Sequence, residues 1–201
     1  MKKIEISLLI AVIITSLFFS EISVFAKGCD EISDKVLRLH ITANSNSEDD
    51  QNLKLLVRDA VLQKADEIIF ANKGKDEACD VISKNISLIK KTAKDVVLQN
   101  GYNYPISCEV GRRYFTTRTY DDITMPAGEY DALCIDIGSG EGKNWWCVCF
   151  PPMCLPGAVK KQELSAILTD EEIEFLESKP RYKAQFAIVE LWNSIRNKLN
   201  L

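Results

Sequence analysis

One histidine, His40, is present in the whole chain, and no Cys-x-x-Cys pair occurs anywhere in it. The first scarcity leaves a Ser-His-Asp or Cys-His enzyme a single candidate base, and the second absence removes the commonest spacing of a structural zinc site. Internal repeats and low-complexity stretches are missing as well. So is any basic excess: the net charge is −4, which argues against nucleic acid or an anionic bilayer as the main partner. After the first segment no apolar run is long enough to span a bilayer.

That first segment reads as an address. Lys2 and Lys3 precede an uncharged apolar stretch from Ile6 to Phe19, and Val24-Phe25-Ala26 offers a cleavage site, so residues 1–26 are predicted to be a signal peptide. The stretch falls short of the roughly 18 to 20 apolar residues of a spanning helix, which makes a retained anchor the second choice. Export gives the seven cysteines a setting in which disulfides persist, and their odd number leaves at least one unpaired within the chain.

Val36 to Ala43 alternates, with Leu37, Leu39 and Ile41 on one face and Arg38, His40 and Thr42 on the other, the pattern of a half-buried strand. Ser47 then stands three residues before Asp50, and a helix over about 48–71 is predicted, leaving Lys54, Arg58 and Lys64 for solvent or a partner. A second amphipathic helix follows, with Ile82, Ile86, Ile89, Ala93 and Val97 as its stripe and Asn100-Gly101 as its stop. Ile106 to Tyr120 reads as one strand, Glu129 to Ile137 as another, and Trp145 to Phe150 as a third that Pro151-Pro152 must end. The expectation is an α+β domain over 27–156: an antiparallel sheet of about four strands in the order β-α-α-β-β-β, with a helical hairpin on one face. A helical tail over 157–201 follows, in which Thr169 and Glu172 form a capping box.

The usual catalytic motifs fail on spacing. Gly138, Gly140 and Gly142 resemble a phosphate loop, but Ile137 and Asn144 occupy the places of its obligatory Gly and Ser or Thr. Asn44, Asn46 and Glu48 open like a calcium loop, yet Asp49 and Leu55 replace the required Gly and bidentate acid. Cys147, Cys149 and Cys154 lack a fourth metal ligand at familiar spacing, so a disulfide between Cys147 and Cys154, across the diproline, is preferred to zinc. No cofactor is expected.

Asn144 to Cys154 holds two of the three tryptophans and three of the seven cysteines. Adjacent tryptophans in a strand point to opposite faces. One enters the core, and the other either sits at an edge or anchors a partner. Asn144, Trp145 and Trp146 are therefore candidate contacts, joined by Arg112, Arg118 and Tyr120 from an arginine stripe interleaved with aromatics.

These residues also carry a resemblance. Leu37 to Ser47, with Asp50-Gln51, Leu53-Lys54 and Val57 to Val61, and then Tyr114-Phe115, Thr117, Tyr120, Pro126 to Tyr130, Gly138, Gly140, Gly142, Asn144 to Val148, Phe150 to Pro152 and Cys154, are similar to the two signatures of the stage II sporulation protein R family. The resemblance implies a forespore protein exported to the septal intermembrane space. There it would activate a membrane-embedded aspartic protease that removes the pro-sequence of sigma-E. It implies a signalling ligand and not an enzyme; an extracytoplasmic cysteine hydrolase and a passive envelope-binding module are the alternatives.

Overall fold

A computed structural model of the chain describes residues 2–69, 74–120, 122–152, 164–165, 167–177 and 185–193. The elements run α1 (Lys2–Ser33), β1 (Leu37–Thr42), α2 (Glu48–Ile69), α3 (Lys75–Lys84), α4 (Ile86–Gln99), β2 (Ile106–Phe115), β3 (Arg118–Tyr120), β4 (Ile123–Met125), β5 (Gly128–Ile137), β6 (Asn144–Phe150) and α5 (Asp170–Leu176). A last helix, α6, covers 185–193.

The class is α+β, as the pattern of periods predicts. Strands β2, β5, β1 and β6 form the main sheet in that order. Two of its pairings are antiparallel, β2 with β5 and β6 with β1, while β1 and β5 run parallel. The sheet is therefore mixed, which corrects the expected antiparallel sheet: the two central strands lie side by side through a long connection that includes the helices, as a parallel pair requires.

Alternation on the central strands builds two cores, one on each face. Leu37, Leu39 and Ile41 of β1 join Leu133, Ile135 and Ile137 of β5 beneath Leu53, Val57, Ile82, Ile89 and Val97 of the helices. The opposite face packs Tyr130, Ala132, Cys134 and Val148 against Ile32, Met125, Ile173 and Leu176. That second core corrects the half-buried reading of β1: Arg38 is 0% exposed and Thr42 6%. Its cover comes from a small two-stranded sheet of β3 and β4, which also corrects the single strand predicted over 106–120. The chain leaves the main sheet after Phe115, a fully buried ring, and β3 pairs with β4 in place of β5.

The second predicted helix is in fact two, α3 and α4. Asn85 ends the first, its side-chain Nδ2 donating to Val81 O at 2.9 Å. Lys54 is a further correction, since it is 4% exposed and is not left for solvent. Its Nζ donates to Gln51 Oε1 at 2.6 Å and, across the fold, to Lys143 O at 2.9 Å.

The N-terminal apolar stretch forms α1, whose Ile4–Ser33 portion is long and apolar enough, by length and composition, to cross a membrane. The helix runs past residue 26 without a break, and Phe25, Cys29 and Ile32 are buried. Phe186 and Val189 of α6 pack on Phe25 and Cys29, so this part of the tail docks and does not project. The Thr169 capping box is formed at the start of α5, as the sequence predicts. The expected boundary at 156 falls outside the described residues.

Candidate functional site

The residues expected to contact a partner do not form one patch. Trp145 lies opposite Ile41 and packs against the core beneath the helices, while Trp146 lies opposite His40 and packs on the other face. Arg112 and Arg113 likewise alternate. Arg112 is 3.8 Å from Asp131 through Nη1, whereas Arg113 pairs with Glu109. Arg118 stands exposed on the small sheet. The arginine stripe is therefore dispersed over three surfaces.

Trp146 belongs to an aromatic array built around Arg38. The Arg38 guanidinium carbon lies 4.3 Å from the Phe115 ring centroid, 4.9 Å from that of Tyr130 and 5.8 Å from that of Tyr120. Its Nε donates to Cys147 O at 2.8 Å and its Nη2 to Tyr120 Oη at 2.9 Å, and Tyr120 Oη donates in turn to Trp146 O at 3.0 Å. Nη1 has no hydrogen-bond partner among the described residues. Cation–π attraction in a desolvated site is worth about 2 kcal/mol or more, and here three rings share one cation. The arrangement pins β3 to β1 and β6, so Tyr120 serves as a tether within the fold.

Two residues along β1 from Arg38, His40 stacks on Trp146 with ring centroids 4.1 Å apart and planes 13° from parallel. Its Nε2 donates to Asn144 Oδ1 at 2.8 Å, which also accepts from Thr42 Oγ1 at 3.1 Å. Burial pulls the His40 pKa below the usual histidine range, against the opposing effects of Asn144 and Asp136 and with Arg113 adding to the lowering. A neutral, hydrogen-bonded ring results, and Trp146 is held on both sides because Phe115 meets it edge-on at 4.8 Å.

Cys134 is the β5 neighbour of His40 in the register of the sheet. Burial pushes its thiol up to about 11, and Cys29, Cys79, Cys108 and Cys149 are raised by burial as well. These five thiols are held in the protonated, weakly nucleophilic form. Among the described residues no group of three or more His, Cys, Asp or Glu side chains is placed to hold a metal. Cys147 is buried; its expected partner Cys154 lies outside the described residues.

The third surface surrounds Trp145. The guanidinium carbon of Arg58, on α2, lies over this indole, 4.3 Å from its centroid, with Nη2 2.7 Å from Asp59. Trp145 Nε1 is shielded from solvent and has no acceptor among the described residues. Lys143, exposed, precedes it, and Lys54 reaches the Lys143 carbonyl from below. Sequence reasoning placed Lys54 and Arg58 among residues for solvent or a partner without linking them to Trp145, because nothing local in the sequence brings α2 to the start of β6.

The link is a locked loop. Asn44 Oδ1 accepts from Ser139 N at 3.0 Å, Ser139 Oγ donates to Asn44 O at 2.7 Å, and Gly142 N donates to Ala43 O at 2.8 Å. Asn44 Nδ2 also donates to Asp50 Oδ2 at 2.8 Å, and Ser47 Oγ caps α2 by accepting from Asp50 N at 3.2 Å. Burial works to raise the Asp50 pKa, but hydrogen bonds from Ser45, Asn44, Tyr104 and Ser47 outweigh it and hold the carboxyl below its ordinary range. A depressed folded-state pKa contributes stability that is complete above the unfolded value and is lost as pH falls through the folded one. Asp50→Asn is therefore expected to lower the urea midpoint at about pH 7, and the difference is expected to shrink as pH falls below about 4. A deficit that stays constant across this range would contradict the assignment.

Comparison with known proteins meets the fold on these same elements. A family model described as stage II sporulation protein R matches residues 33–160. Stage II sporulation protein R of Bacillus subtilis (strain 168) is 41% identical over 137 residues, which is 66% of this chain and 61% of that protein, so the alignment spans under two thirds of the relative's length. No solved structure matches. With β1 through β6 all inside the matched region, this chain belongs to the stage II sporulation protein R family.

Proposed function

We propose that the protein is an exported signal of sporulation, acting from the septal intermembrane space to activate a membrane-embedded aspartic protease that removes the pro-sequence of sigma-E. Family membership over residues 33–160 carries this reading. The apolar helix α1 supports the export step, since a signal sequence near an N-terminus has this length and composition. The chemistry of the domain fits a ligand and not an enzyme: the lone imidazole is stacked and hydrogen-bonded, and the thiols described are held protonated. A ligand of this kind acts by binding the active state of its receptor more tightly than the inactive one. A Cys147–Cys154 disulfide would tie the end of β6 to the chain beyond it and belongs to the same proposal.

Co-expression of the chain with the protease and the sigma-E precursor in a non-sporulating bacterium provides the test. Precursor cleavage is expected when all three are present, and loss of cleavage when residues 1–26 are deleted. Cleavage that proceeds equally without the chain, or with the chain confined to the cytoplasm, would overturn the proposal.

A further inference from the structure

We infer that the corner formed by Lys54, Arg58, Lys143 and Trp145 is a docking site for a carboxylate-rich peptide segment of a protein partner. It deepens the signalling reading and rests on that reading for the identity of the partner as the protease.

The choice between the two adjacent tryptophans follows from what each already does. Trp146 is stacked on His40, met edge-on by Phe115, and tied through its carbonyl to Tyr120. Its ring is a wall of the second core. Trp145 is half-buried and carries the Arg58 guanidinium on its face, while its indole donor has no acceptor among the described residues. A tryptophan with an arginine laid over it is the pairing of residue types most enriched where binding energy concentrates.

Charge points to the class of partner. The chain as a whole is acidic, with a net charge of −4, yet three cations converge here. Among the described residues one carboxylate, the exposed Asp59, pairs with any of them. Lys54, at 4% exposure, is held by neutral acceptors, the Gln51 amide oxygen and the Lys143 carbonyl. Burial first, then the charges of Lys143 and Arg58, depress its pKa, so the field at Lys54 is positive even with Asp59 paired to Arg58. An anionic segment laid across Arg58 and Lys143 would neutralise that field, and an extended peptide can present successive carboxylates to cations set apart in this way.

The full-length chain, purified in a non-ionic detergent, is titrated with an oligoglutamate peptide while tryptophan emission is followed. Saturable binding is expected, weakening as salt is added because exposed charges are screened. Arg58→Glu and Lys143→Glu are each expected to weaken it about tenfold or more. Arg58→Gln and Lys143→Gln remove charge more gently and should weaken it in the same direction, with circular dichroism checking the fold. Trp145→Phe should abolish the emission change and Trp146→Phe should leave it. Failure of the unaltered chain to bind, equal binding by the four charge variants, or competition by anionic lipid vesicles would overturn the inference, the last by assigning the corner to a membrane. In the co-expression assay Arg58→Glu is expected to reduce precursor cleavage. Intact peptide binding with cleavage indifferent to Arg58→Glu would remove the protease as the partner at this corner. Absence of cleavage with the unaltered chain would instead count against the signalling reading itself.

Discussion

Arg38→Ala is expected to destabilise the domain by about 3–5 kcal/mol, enough to leave many single domains largely unfolded. Three losses add. The guanidinium surrenders its contacts with Phe115, Tyr130 and Tyr120, two charge-assisted hydrogen bonds disappear, and a void opens where a fully buried side chain stood. Hydrogen bonds to charged groups are each worth about 1.5–3 kcal/mol, so they and the cation–π contacts outweigh the relief of no longer burying a charge. Nη1, buried and without a hydrogen-bond partner among the described residues, shows that the relief is real. Arg38→Met separates the contributions, because it restores much of the volume without the charge and should recover part of the loss. Arg38→Lys should not rescue, since a compact ammonium cannot lie over the rings while reaching both Cys147 O and Tyr120 Oη. Urea unfolding of the four proteins decides. A cost below about 1 kcal/mol for Arg38→Ala would show that the array is decorative.

The same residue marks where reading the sequence succeeded and where it stopped. Period-two alternation correctly separated Leu37, Leu39 and Ile41 from Arg38, His40 and Thr42, and it put the adjacent tryptophans on opposite faces of the sheet. It could not tell that the polar face is covered as well, because the cover comes from β3 and β4, eighty residues away in places; Arg38 and Tyr120 are 82 positions apart. The break that frees β3 was equally silent. Thr116 and Thr117 favour extended backbone, and neither Gly nor Pro marks the place where the strand leaves the sheet.

Lys54 shows the same limit on a helix. It lies three residues before Val57 and one after Leu53, at the border of the buried stripe, where a lysine normally extends to water. What draws it in is a carbonyl 89 positions away, at Lys143. The resemblance of the chain to its family was legible without any of this, yet it could not distinguish core from contact. Several of the signature residues now have structural roles: Asn44 and Gly142 close a loop, Asp50 anchors the start of α2, and Arg38 holds three rings.

Gly142→Ala is expected to be the most damaging substitution that adds a single methyl group. A Cβ at this position would collide with the Ser45 carbonyl oxygen and sit 2.8 Å from both Ala43 O and Ala43 Cβ. Two of those atoms are backbone, so no rotamer change relieves the contact, and the hydrogen bond from Gly142 N to Ala43 O must lengthen or break. A loss of about 2–4 kcal/mol follows from combined overpacking and a broken buried hydrogen bond. Gly138→Ala makes the instructive comparison. Its φ of 64° strains an alanine, and the obstacle there is the Asn44 side chain: the amide end can turn aside at the expense of its bonds to Ser139 and Asp50, while Asn44 Cβ, 2.9 Å away, must shift with its backbone. Function should follow geometry more than stability. Gly142 is one residue from Lys143 and three from Trp145, so displacing it moves two members of the basic corner while leaving the Arg38 array intact. At a temperature where Gly142→Ala remains folded by circular dichroism, oligoglutamate binding should already be weakened, while Gly138→Ala, farther from the corner, binds more nearly as the unaltered chain does. Equal binding by both folded variants would mean that the loop supports the sheet without positioning the corner.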